Sequence, residues 1–234
     1  MPQGNTSRRR LLVEGEDDQH VVSNLLHQHD IENRRLGYRE QREVNNGTIA
    51  IERKSGAPEL LSDLTSELKR PNQECVGVIV DIDREDEGVP GGVQSRWDSV
   101  RNRVLQTGTS QDVPETPPRE GTVFTIEQPE RDLRFGLWLM PNNAAPGAIE
   151  HFLLGIIPEQ DTLLDRAQAC LNTVSDEERL FREVDETKAL IHTWLAWQQR
   201  PGRPMGGAVY ADFFDTGADL AELFVGWIRH LYGL

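Results

Sequence analysis

CVGVIVDID (75–83) decides the fold. Its apolar and β-branched residues occupy successive positions rather than alternate ones, which is the pattern of a strand covered on both faces of a sheet. The run ends in Asp81 and Asp83. LLVEGEDD (11–18) has the same form: a short apolar run stops at Glu14, a glycine follows, and three more acids crowd in. Strands of this kind belong to parallel sheets, whose crossover connections are usually helices.

The intervening sequence supplies such connections. In DDQHVVSNLLHQHD (17–30), Val21, Val22, Leu25 and Leu26 recur at helical spacing, and GAPELLSDLTSELKR (56–70) is amphipathic with Pro58 in its first turn. SRWDSVRNRVLQTG (95–108) repeats Trp97, Val100 and Val104 in the same way, and AIEHFLLGII (148–157) reads as a further helix. REQREVNN (39–46) reads as a polar edge strand. TVFTIEQ (122–128) and RFGLWLMP (134–141) read as a strand pair across a short turn. Glycine and proline mark loops at 83–92, 111–121 and 200–215. From about residue 158 the pattern turns helical. The expectation is an α/β domain over 8–157, with a mainly parallel sheet flanked by helices. A C-terminal helical extension over 158–234 packs on it.

A chain of 234 residues can bury one large core, and no stretch approaches the roughly 20 apolar residues that span a bilayer. Cys75 and Cys170 match no metal-ligand spacing and no disulfide framework, and the cytoplasm is the expected location. The net charge of −14 argues against nucleic acid at first sight, since phosphates attract lysine and arginine. The excess is uneven, however. Residues 1–70 hold 11 basic and 12 acidic side chains and are nearly neutral, and a divalent cation inverts the field of a carboxylate cluster. Only Lys54, Lys69 and Lys188 among the 25 basic residues are lysines, which draws attention to them where a compact charge is needed. Trp194 and Trp197 read as core residues.

In open parallel sheets, ligands gather outside the carboxyl ends of the strands. Glu14, Asp81 and Asp83 all stand at such ends, and Asp81 and Asp83 point the same way with Ile82 directed into the core. If the two strands are neighbours, three carboxylates meet at one spot, where hard oxygen ligands favour magnesium or manganese.

These motifs resemble the TOPRIM domain, whose pattern is a glutamate after the first strand and a DxD after a later one; the match covers about residues 10–157. VEGxxD (13–18), DxD (81–83) and GxxE (Gly147 to Glu150) resemble its nuclease branch, which includes the OLD-family nucleases and the small ribonuclease that matures ribosomal RNA. KALIHTWLAWQQRPGRPMGGAV (188–209) is similar to a TOPRIM-related bacterial family of unknown function. The resemblance implies that Glu14, Asp81 and Asp83 are metal ligands or acid–base groups, joined by Asp18 and Glu150. It implies one or two Mg2+ or Mn2+ ions, and a DNA or RNA phosphodiester as substrate. Lys188 would neutralise charge in the transition state, and Lys54 would bind phosphate at a helix N-terminus. The chain has no GxxxxGK[ST] motif, so the ATPase that accompanies OLD proteins would be a separate partner, and an oligomer is compatible with the pattern. Two other readings stand beside the nuclease. One is an effector or regulatory subunit held by such an ATPase in an anti-phage system. The other is a TOPRIM scaffold without catalysis.

Overall fold

The computed structural model describes residues 8–37, 44–45, 47–82 and 91–234. Asp83, most of the expected edge strand at 39–46 and most of the loop at 83–92 lie outside the described residues. Val44 and Asn45 are described and belong to no strand.

CVGVIVD forms β4 (Cys75–Asp81), and LLV lies in β1 (Arg9–Val13), parallel to it and hydrogen-bonded beside it. Six strands form one sheet in the order β2-β3-β1-β4-β6-β5. The antiparallel pair is β5 (Thr122–Gln128) with β6 (Arg131–Met140), the expected hairpin, and every other pairing is parallel. Two strands escaped the sequence reading: β2 (Asn33–Leu36) and β3 (Ile49–Arg53). The fold is thus α/β, with a mostly parallel sheet between helical layers.

Side-chain alternation divides the core. Leu12, Val76, Val78, Val80 and Ile82 face a layer made by α2 (Ala57–Leu68) and α3 (Gly92–Val104). Leu11, Val13, Ile51, Ile79 and Trp138 face the opposite layer. That layer contains α1 (Glu16–Gln28), α4 (Ile149–Leu154), α5 (Leu163–Leu171), α6 (Glu186–Ala196), α7 (Met205–Tyr210) and α8 (Asp219–Tyr232). The helices after residue 158 therefore share a core with the sheet. In α8, Phe224 and Trp227 pack on Trp138 with ring centroids 5.1 and 5.8 Å apart, and Tyr232 donates its hydroxyl to the Arg10 carbonyl at 2.6 Å. Gly77 on β4 leaves room for this helix, because a Cβ there would meet Leu231 and the Tyr232 hydroxyl at 2.9 Å. Trp194 is buried, as expected, but Trp197 caps the end of α6 and is 42% exposed.

The segment 200–215, expected to be a loop, contains α7. Two glycines lower its intrinsic helicity, but packing on α1 overrides propensity. A Cβ on Gly206 would stand 2.6 Å from His20 Cβ, so only glycine lets the two helices approach this closely. Asn24 also donates its amide to the Gly206 carbonyl at 2.8 Å. Gly206→Ala is expected to cost about 1–3 kcal/mol through overpacking, measured by urea unfolding. Among the described residues, no helix is long and apolar enough to cross a membrane.

Candidate functional site

The chain enters the sheet at β1, passes to one side through β2 and β3, and returns to the other through β4 and β6. The reversal falls between β1 and β4, where a crevice opens beyond the strand ends in sheets of this type. Leu12 is in register with Val78, so Glu14 stands beside Val80, one residue before Asp81. Glu14 Oε1 accepts the Asp81 backbone N–H at 2.8 Å. The Glu14 backbone is fixed from the other side, since its carbonyl accepts the Gly56 N–H at 3.0 Å.

Gly15 is extended and begins α1, which places Asp18 in the first turn of that helix. The Asp18 side chain is buried, and its carboxyl is pushed up from 3.8 to about 7. Burial is the largest cause and the negative charge of Glu14 the second. Glu150 adds to the rise, while the backbone N–H groups of Asp18 and Gly15 partly oppose it. Glu14, Asp18 and Glu150 therefore share one electrostatic neighbourhood.

Glu150 is brought there by the loop after β6. Gly147 and Ile82 exchange backbone hydrogen bonds of 3.0 and 2.9 Å, which ties that loop to the end of β4. Gly147 has φ +153°, and a Cβ there would meet the His151 ring at 2.8 Å. His151 Nδ1 accepts the Ala148 N–H at 3.2 Å, and its Nε2 lies 3.1 Å from the Thr187 hydroxyl. That contact joins α4 to α6, where Lys188 Nζ stands 3.5 Å from Glu150 Oε1. Neither the His151–Thr187 tie nor the Gly147–Ile82 pairing was read from the sequence; each links residues far apart in the chain and carries no local signal.

The structure thus brings together Glu14, Asp18, Asp81, Glu150 and Lys188 at the ends of β1 and β4. Asp83 lies outside the described residues. Among those described, no three His, Cys, Asp or Glu side chains are gathered tightly enough to hold a metal ion as they stand. Lys54 does not join the group. Its side chain is 5% exposed and turns toward α2, with Nζ 2.6 Å from Glu67, 3.1 Å from Glu52 and 3.6 Å from Asp63. The expected phosphate contact at the start of α2 gives way to this buried ion pairing.

A carboxyl with its pKa near 7 has a stability consequence. The folded chain binds the Asp18 proton more tightly than the unfolded chain does. The Asp18 contribution to stability is therefore greatest below about pH 4, falls as pH rises toward 7, and stays at the lower level above it. Asp18→Asn is expected to remove that loss and to stabilise the cation-free protein at pH 8 by about 1–2 kcal/mol, the full shift being shared among coupled acids. Thermal melts at pH 4, 5 and 8 check it: the gap between the variant and the parent should be widest at pH 8, narrower at pH 5 and nearly closed at pH 4.

No curated protein and no solved structure matches the chain. Residues 8–233, nearly its whole length, match the family model described as Protein of unknown function (DUF3226), and the chain belongs to that family.

Proposed function

We propose that the protein is a metal-dependent phosphodiester hydrolase acting on nucleic acid, built on a TOPRIM-like arrangement of a glutamate after the first strand and a DxD after a later one. The observation that carries this reading is the junction of Glu14 with the Asp81 amide, with Asp18 and Glu150 in electrostatic contact, at the reversal point of the sheet.

The donor set suits magnesium or manganese. Glu14, Asp81 and Glu150 offer hard oxygens, as does Asp83, and such ions bind carboxylates and retain several waters. The raised Asp18 carboxyl supports the same conclusion, because after burial the negative charges of Glu14 and Glu150 raise it. A bound ion would supply Lewis acidity toward a phosphoryl oxygen and an acidic water. The chain's own part is to hold the carboxylates at fixed strand ends and to place one ammonium beside them. Lys188, half exposed on α6, can meet an incoming phosphate while Glu150 anchors it. Asp18 would be among the groups to give up a proton to a bound cation, so metal uptake near pH 6 should release protons.

The test is direct. Purified protein with Mg2+ or Mn2+ should cleave at least one of single- or double-stranded DNA or RNA, and EDTA should stop it. Inertness toward all four substrates with both metals would overturn the reading. Lys188→Met is expected to lower turnover about tenfold or more, and an unchanged rate removes Lys188 from the site.

A further inference from the structure

A trough of about 810 Å3 begins at the far end of α4, the helix that carries Glu150. It lies between the loop after β6 and the first turn of α8. Ile157, Leu220 and Leu223 give it an apolar wall, and Arg119, Asn142 and Gln160 give it hydrogen-bonding edges. Glu150 and Gly155 on its rim stand five positions apart along the helical chain, a span of roughly 7–8 Å. That is a reach from a phosphate to a base of the same strand.

We infer that this trough receives an unpaired nucleobase bearing an exocyclic amine (adenine, cytosine or guanine) from the strand whose phosphate lies at the carboxylates. The inference rests on the hydrolase reading for the position of that phosphate. Its size falls within the usual range of small-ligand sites, and an apolar wall with a few polar edges is what a flat heterocycle requires. The charge of the rim selects among ligands. Glu159, Asp215 and Asp219 line it against a single guanidinium, so it repels a phosphate but accepts hydrogen bonds from a base amino group. Asn142 Oδ1 is taken by the Ala144 and Ala145 N–H groups at 3.1 and 3.0 Å, so its NH2 is the group it offers to a ring nitrogen or carbonyl. The wall is also held in shape. Buried Asn143 donates to the Arg119 carbonyl at 3.1 Å and accepts the Leu139 N–H at 2.7 Å, and the Ile156 carbonyl accepts the Asp215 N–H at 2.8 Å.

The experiment is fluorescence anisotropy of the full chain with labelled single strands of about twelve nucleotides, all deoxyadenosine, all deoxycytidine or all thymidine. The adenine and cytosine strands should bind about tenfold more tightly than the thymine strand, which lacks the amine. Glu159→Ala, at an exposed position, and Leu223→Trp, which fills the trough, should each abolish that preference without weakening the thymine strand's binding. Glu14→Gln should keep the preference while losing cleavage, so the two readings can fail separately. Equal affinity for the three strands, a preference that survives in both variants, or no binding of any strand would overturn the proposal. Displacement by free adenosine or cytidine at the concentration of the strand would also overturn it, since the trough would then serve a small molecule.

Discussion

Glu14→Gln should reduce metal-dependent cleavage of nucleic acid by about 10²–10⁴-fold while leaving the fold intact. The substitution keeps the shape of the side chain and, through its amide oxygen, the acceptor for the Asp81 N–H that Glu14 Oε1 engages at 2.8 Å. What it removes is the charge. That charge is the second cause of the Asp18 rise after burial, so the Asp18 carboxyl should fall part of the way toward its ordinary value in the variant. Three measurements follow on one protein: turnover collapses, manganese binding by calorimetry weakens, and the unfolding midpoint at pH 8 holds or rises. Glu14→Ala is the contrasting case, because it deletes the acceptor as well and should also destabilise the strand ends. If Glu14→Gln cleaves as fast as the parent protein, the carboxylate is not part of the chemistry, and its bond to the Asp81 amide is purely architectural.

The positions legible in advance share a physical reason. Glu14 and Asp81 end uninterrupted apolar runs, and a charge at such a point must leave the core at the strand's carboxyl end. Ile82 turns into the core, as the alternation required, and is 2% exposed. The unread parts depend on contacts between distant segments. β2 is a short edge strand with Arg34 and Arg35 exposed, so no burial pattern marks it. β3 is too short to stand out beside its charged ending. That omission explains the expectation for Lys54. Once Ile49 and Ile51 are known to face the α1 layer, Glu52 and Lys54 must point in turn toward α2 rather than into the loop. α7 was obscured by the glycines that its contact with His20 demands.

The second large effect belongs to the network that holds Lys54. Glu67, 2% exposed on α2, accepts Lys54 Nζ at 2.6 Å and Arg70 Nη2 at 2.7 Å on one oxygen, and Arg10 Nη1 at 2.6 Å on the other. Glu52 completes the group by pairing with both Arg10 and Lys54. Glu67→Ala strands two buried cations with one buried carboxylate, and breaking such a pair costs about 3–5 kcal/mol. Domains of this kind are stable by only about 5–15 kcal/mol, so the loss should be plain in urea unfolding. Adding Lys54→Met to Glu67→Gln restores the balance of buried charge and should recover part of the loss, a non-additivity that a simple cavity would not produce. The pH dependence has a definite sign. Burial alone would raise the Glu67 carboxyl, but Arg10, Lys54 and Arg70 outweigh it and hold the group below its ordinary 4.5. Its stabilisation is therefore fully present above about pH 4.5 and is lost as pH falls through the lower folded value. The stability gap between the parent protein and Glu67→Gln should be constant from pH 5 to 8 and should close only in stronger acid. A gap that is equally wide at pH 3, or smaller than about 1 kcal/mol at pH 7, would mean that these buried charges are held by packing rather than by one another.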